Sequence, residues 1–176
     1  MRKLKNEELK RLSVDAFKKS KKASIVLVLD NVRSAHNVGS AFRTADAFRV
    51  EKIYLCGITA IPPHKEINKA ALGAQEAVEW EHFDASKDCA LKLQNEGYKL
   101  VVLEQADQSK SLEDYQMQPN KKYAFVFGNE VFGVDEALVQ MADQVLEIPQ
   151  FGTKHSLNIS VSVGVVLWDH YAKSKK

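Results

Sequence analysis

An open α/β sheet is the fold this sequence predicts, on three observations. Continuous β-branched runs such as "SIVLVLD" (24–30) read as strands buried on both faces, the pattern of a parallel sheet. Amphipathic segments of helical period separate those runs. The chain has 176 residues, 45% of them hydrophobic, which suits one domain with a substantial core.

The elements follow in order. From Glu7 to Lys19 the positions Leu9, Leu12, Val14, Ala16 and Phe17 form a loose apolar face, predicting a basic amphipathic helix. The strand at 24–30 comes next, then a helix over 37–48 with Val38, Ala41, Phe42 and Ala45 on one stripe. "KIYLCGI" (52–58) is a second buried strand and "AVEWEHF" (77–83) a shorter one. A helix spans 86–97, with Ser86 as its cap and Gly97 as its stop. Strands are expected at 99–105 and 122–130, a helix opened by Asp135 over 135–142, and a strand at 144–150. The last apolar segment is open on pattern alone. Ile159, Val161, Val163 and Val165 alternate with small residues as in a strand, yet the run continues through Trp168 and Tyr171 at helical length.

Charge is unevenly spread. Residues 1–22 hold nine Lys/Arg against Glu7, Glu8 and Asp15, a balance of +6, and the total of +2 leaves −4 for the rest. A basic segment on a mildly acidic body suits a polyanion such as nucleic acid, and equally a solvated helix face. Cys56 and Cys89 stand apart in apolar contexts and read as buried free thiols. No apolar run reaches membrane-spanning length and no secretory leader is read, so the cytoplasm is expected and no membrane.

Three strand ends carry unusual chemistry: "DNVRSAHNVGSAFRTADAF", "FGNEVFG" and "IPQFGTKHSLN". Open α/β sheets bind ligands beyond the carboxyl edge of their strands, so convergence of these loops is a site hypothesis. "GNEVFG" lacks the Lys-Ser/Thr of a phosphate-cradling loop, and no GxGxxG follows the first strand. Ser156 beside His155 is outside a GxSxG elbow, which disfavours a hydrolase over a ligand-holding loop or a plain turn. Scattered histidines predict no metal site. Arg43 shares a helix face with Gly39, and its plain alternative is a surface arginine paired with Asp46.

Together these loops resemble the SpoU/TrmH family of RNA ribose methyltransferases within the SPOUT superfamily. "NVGSAFRTADAF" is similar to its first motif, Asn-x-Gly-x-x-x-Arg; "FVFGNEVFGV" to its second, Gly-x-Glu-x-x-Gly; "IPQFGTKHSLNISVSVGVVLWDHY" to its third. The likeness covers residues 24 to 173. It implies an open parallel sheet with helices on both faces and a C-terminal trefoil knot, an exception to unknotted folds. It implies S-adenosylmethionine as cofactor, a homodimer, and tRNA or rRNA as substrate, and it makes the last segment a helix. A basic extension at 1–22 would then precede a methyltransferase domain at 23–176.

By the same resemblance Arg43 is the catalytic residue, with Asn37 and Asn158 orienting it and the ribose. Glu130 would fix the arginine or the substrate, and Ser156 the loop. Leu103, Gly128, Ile148 and Leu157 would line the cofactor. An arginine is almost never deprotonated, so Arg43 reads better as a phosphate ligand and alkoxide stabiliser than as a base. Two other readings stand beside this one: a base-methylating relative and a catalytically idle RNA-binding protein of the same fold.

Overall fold

The structure is a computed structural model and describes residues 1–174. Among these residues seven strands form one sheet: β1 (Ile25–Asp30), β2 (Lys52–Cys56), β3 (Glu79–Phe83), β4 (Tyr98–Leu103), β5 (Lys110–Ser111), β6 (Lys122–Phe127) and β7 (Gln144–Glu147). Their order is β3-β2-β1-β6-β4-β7-β5, and every pairing is parallel.

Strand β1 shows why its sequence is continuously apolar. Ile25, Leu27 and Leu29 enter one core, while Val26 and Val28 enter the other. The first core is closed by α1 (Val14–Lys19), α2 (Ala35–Ala47), α3 (Lys65–Ala71), α4 (Ala74–Ala77) and α7 (Ile159–Lys173), through residues such as Phe17, Phe42, Ile67, Ala77 and Val166. The second is closed by α5 (Ser86–Asn95) and α6 (Glu136–Met141), through Cys89, Leu93 and Leu138. Both cysteines are buried and free, and the hydrogen bond with the Cys56 thiol, reinforced by burial, pushes the Cys89 thiol far up.

Helices α2 and α3 pack closely because Gly39 has no side chain. A Cβ there would stand 2.5 Å from the Ile67 carbonyl oxygen. The chain leaves β1 toward β2 and leaves β6 toward β7, on opposite sides of the β1–β6 pair. Such a divergence opens a crevice at the carboxyl ends of the strands.

Several expectations are corrected. The basic segment is not one helix from Glu7 to Lys19. It is a 3-10 turn (Asn6–Leu9) and then α1, separated by Lys10 in the left-handed region and restarted by Ser13, whose Oγ accepts the Ala16 N–H. Of its apolar stripe only Phe17 is buried. Ser86 does not cap α5: Ala85 holds that position, and Ser86 Oγ donates instead to the buried carboxylate of Asp30. Helices α3 and α4 and the two-residue β5 were not anticipated. The final segment is a helix, opened by Asn158, whose Oδ1 accepts the Ser160 N–H. Among the described residues no helix is long and apolar enough to cross a membrane.

Candidate active site

The site is assembled at the carboxyl edge by the loops after β1, β4, β6 and β7. Ser34 starts α2 by accepting the Asn37 N–H on its Oγ, which fixes Asn37 in the first turn. The Asn37 side chain is buried and bonded at both ends. Its Nδ2 donates to Glu130 Oε1 (3.1 Å), and its Oδ1 accepts from Asn158 Nδ2 (3.2 Å). Glu130 also accepts the N–H groups of Arg33 (2.9 Å) and Ser34 (3.1 Å). A single relay, Glu130–Asn37–Asn158, therefore joins the three loops. Desolvation works to raise the Glu130 carboxyl, and the backbone N–H of Arg33 with the other donors outweighs it, so its pKa lies below the ordinary value.

The loop after β6 is tied down again one residue earlier. Asn129 Nδ2 donates to the Asn31 carbonyl, and Asn129 Oδ1 accepts the N–H groups of Val131 and Phe132. Gly128 must be glycine, since a Cβ would fall 2.2 Å from the Gly133 and Val134 backbone. Glu104, at the end of β4, accepts the Val134 N–H, and Gln105 Nε2 donates to the His155 carbonyl (2.7 Å). The C-terminal loop is thereby pinned across the end of β4.

Beside this relay lies a cavity of about 500 Å³, within the usual range for a small-molecule site. Leu103, Gly128, Ile148 and Leu157 all line it, with Glu130, Ser156 and Asn158. Apolar surface from Leu146 and Ile159 and the carboxylates of Glu104 and Glu147 complete much of the wall, and among the described residues no Lys or Arg contributes. Such a lining fits a ligand with an apolar ring system and a cationic centre, as S-adenosylmethionine has.

Two expected site residues stand outside that wall. Asn37 sits behind it, holding Glu130 and Asn158 rather than Arg43. Arg43 is exposed further along α2 and makes no hydrogen bond or ion pair among the described residues, with Asp46 or with Glu130. Ser156 Oγ is also exposed and without a hydrogen bond among them. Sequence reasoning missed Glu104, Gln105 and Asn129. The available signal was a run of polar residues directly after each buried strand.

Comparison with known proteins gives the same picture. The SpoU rRNA Methylase family matches residues 24–168. A tRNA (guanosine(18)-2'-O)-methyltransferase from Aquifex aeolicus is 30% identical over 93% of this chain and 75% of its own. A 23S rRNA (guanosine-2'-O-)-methyltransferase, RlmB, from Neisseria meningitidis is 28% identical over 87% of this chain. The AdoMet-bound rRNA methyltransferase of Sinorhizobium meliloti superposes with a TM-score of 0.80 at 25% identity, over 89% of this chain. The chain spans 60% of the Neisseria protein and 59% of the Sinorhizobium chain. With three motif loops joined in one site, and the match running through nearly all of the sheet, the chain belongs to the SpoU rRNA Methylase family.

Proposed function

We propose that this chain transfers a methyl group from S-adenosylmethionine to a ribose 2′-hydroxyl in tRNA or rRNA. The observation that carries the reading is the Glu130–Asn37–Asn158 relay along a cavity suited to a cationic, ring-bearing cofactor. A sulfonium donor supplies an already activated methyl group. What remains for the protein is to place the 2′-hydroxyl in line and to exclude water.

Leu103, Gly128, Ile148 and Leu157 hold the cofactor, and Ser156 and Asn158 face the ribose from the rim of the same cavity. Glu130 acts through Asn37: it fixes the amide whose oxygen holds Asn158, so it is a positioning residue. Arg43, unpaired among the described residues and permanently charged, binds the phosphate beside the target ribose and stabilises the developing alkoxide. The hydroxyl proton leaves to that phosphate or to water. Domain limits of 1–22 and 23–176 belong to this proposal, as does a cytoplasmic location.

The proposal includes a homodimer. Val161, Val165, Trp168 and Tyr171 leave an exposed apolar face on α7, which a second copy would cover. It also includes a trefoil knot, formed where residues 148–158 pass the segment after β4. Support for the crossing is the Gln105–His155 bond and the Lys173 ammonium on the Leu112 carbonyl.

The test supplies purified protein with methyl-labelled S-adenosylmethionine and total tRNA or ribosomal RNA from cells lacking its gene. Label in 2′-O-methylnucleosides is expected. Label on a base, or none in either RNA class, refutes the reading.

A further inference from the structure

We propose that a second cavity, beside the first, holds a nucleobase next to the methylated ribose, stacked on Phe132 with its phosphate on Arg33. The inference rests on the RNA reading above and adds a subsite to it.

This cavity is about 600 Å³ and is lined by Asp30, Asn31, Arg33, Ile58, Phe132 and Asp135 among others. Asn129 and Gly133 line both cavities, so one wall separates a base in the second from a ribose at the first. A single strand crossing the site would place neighbouring nucleotides in the two.

Its apolar surface is unusual in being both exposed and rigidly mounted. Phe132 is 85% exposed and Ile58 68% exposed. Yet the Phe132 N–H is held by Asn129 Oδ1, and the Ile58 N–H by Asn31 Oδ1 (3.2 Å). Asn129 and Asn31 are themselves joined, and Asn31 Nδ2 donates to Asp30 Oδ1. An exposed aromatic ring on a fixed backbone loses little entropy when a base stacks on it.

The charges choose between base and phosphate. Asp30 is only 1% exposed and receives Ser86 Oγ, Asn31 Nδ2 and the Asp135 N–H. Asp135 and Glu136 are engaged with the Ala137 N–H and Gln140 Nε2. These three carboxylates repel phosphate from most of the cavity, and the exposed pair, Asp135 and Glu136, keep lone pairs for base amino groups, whereas Asp30 is buried and fully engaged. Among the described residues Arg33 is the one cation lining the cavity, and its guanidinium has no partner there. The phosphate therefore belongs at Arg33 and the base at Phe132.

The probes are a fluorescein-labelled ten-nucleotide single-stranded RNA of mixed sequence and a matching ten-mer with abasic central positions. The wild type should bind the first more tightly, by roughly fivefold to hundredfold for one base–aromatic stack. Phe132→Ala and Phe132→Leu should abolish that preference, and Phe132→Tyr should keep it. Arg33→Ala should weaken both probes alike and flatten the salt slope by about 0.7, for one phosphate of a single strand. Phe132 is at the surface, so folding is not at stake. An undiminished preference in Phe132→Ala overturns the proposal while methyl transfer by the wild type keeps the broader reading. A Phe132→Ala protein that sediments as a smaller species assigns the ring to an interface between copies, and also overturns it. Absence of methyl transfer by the wild type overturns the RNA reading itself.

Discussion

Asn37 and Arg43 stand on the same helix, roughly 9 Å apart along its axis at 1.5 Å per residue, and are held in opposite ways. Asn37 is buried, with its amide bonded to two loops from distant parts of the chain. Arg43 is exposed, with no partner among the described residues. The difference separates two jobs. A buried amide that joins loops organises the site and is part of the fold's stability. An unpaired guanidinium adds nothing to the fold and keeps all its donors for a ligand. Substitutions at the two positions should therefore leave different signatures.

The largest expected effect is at Arg43. Arg43→Ala should lower single-turnover methylation by roughly two to three orders of magnitude, as for loss of one preorganised donor. Thermal stability and S-adenosylmethionine affinity should hardly change. Arg43→Lys should restore part of the rate, because a point charge cannot reproduce the planar fork. Near-normal turnover in Arg43→Ala, on an RNA the wild type modifies, would reduce the residue to a surface arginine.

Asn37→Ala should behave in the other manner. It removes two part-buried hydrogen bonds, from Glu130 Oε1 and Asn158 Nδ2, a cost of about 1–3 kcal/mol for the pair at the usual net value of about 0.5–1.5 kcal/mol each. Urea unfolding should show that loss. Cofactor affinity should fall with it, since Asn158 borders the cavity and opens α7. If Asn37→Ala changes rate alone, the contrast with Arg43 disappears.

Acid should probe the same relay more gently. The Glu130 pKa is lowered in the folded state, so its stabilising contribution is complete above the ordinary value of 4.5. That contribution fades as pH falls through the lower folded value. The stability gap between wild type and Glu130→Gln should thus be constant from neutrality to about pH 5 and shrink below it, as unfolding curves at several pH values will show. A gap that is pH-independent down to pH 3 would mean that the carboxylate's charge is irrelevant to the relay.

How much of this was legible in the sequence depended on range. Strand β1 declared itself because every residue from Ile25 to Leu29 is apolar, whichever face it serves. Helices α3 and α4 did not: they have seven and four residues, too few for periodicity, and Leu72 and Gly73 break them in the left-handed region. The N-terminal stripe misled because Leu9 and Leu12 keep helical spacing but have no surface to bury against. The three motif loops could be quoted from the sequence, and a family resemblance gave them roles. Their mutual geometry could not be read, since the bonds to Asn37 span 93 and 121 residues. The assignment of Glu130 to Asn37 rather than Arg43 is therefore a product of the fold.

The smallest expected effect lies at the N-terminus, where the contrast between anchoring and ligand-binding groups recurs. Phe17 is buried in the core and α1 packs on α4, while Lys3, Lys5, Lys18, Lys19 and Lys21 are exposed. Removing residues 1–22 would confuse the two, because the Phe17 anchor would go with the charges. Changing the five lysines to glutamine keeps the anchor. Stability should stay within about 0.5 kcal/mol, as for surface substitutions generally. Affinity for single-stranded RNA should fall, and the slope of log K against log salt should flatten by about 0.7 for each phosphate these lysines contact. S-adenosylmethionine affinity should be unaffected, since none of the five lines its cavity. An unchanged slope would show that the basic segment is a solvated cap, and that RNA contact begins with Arg33, Arg43 and the loops around them.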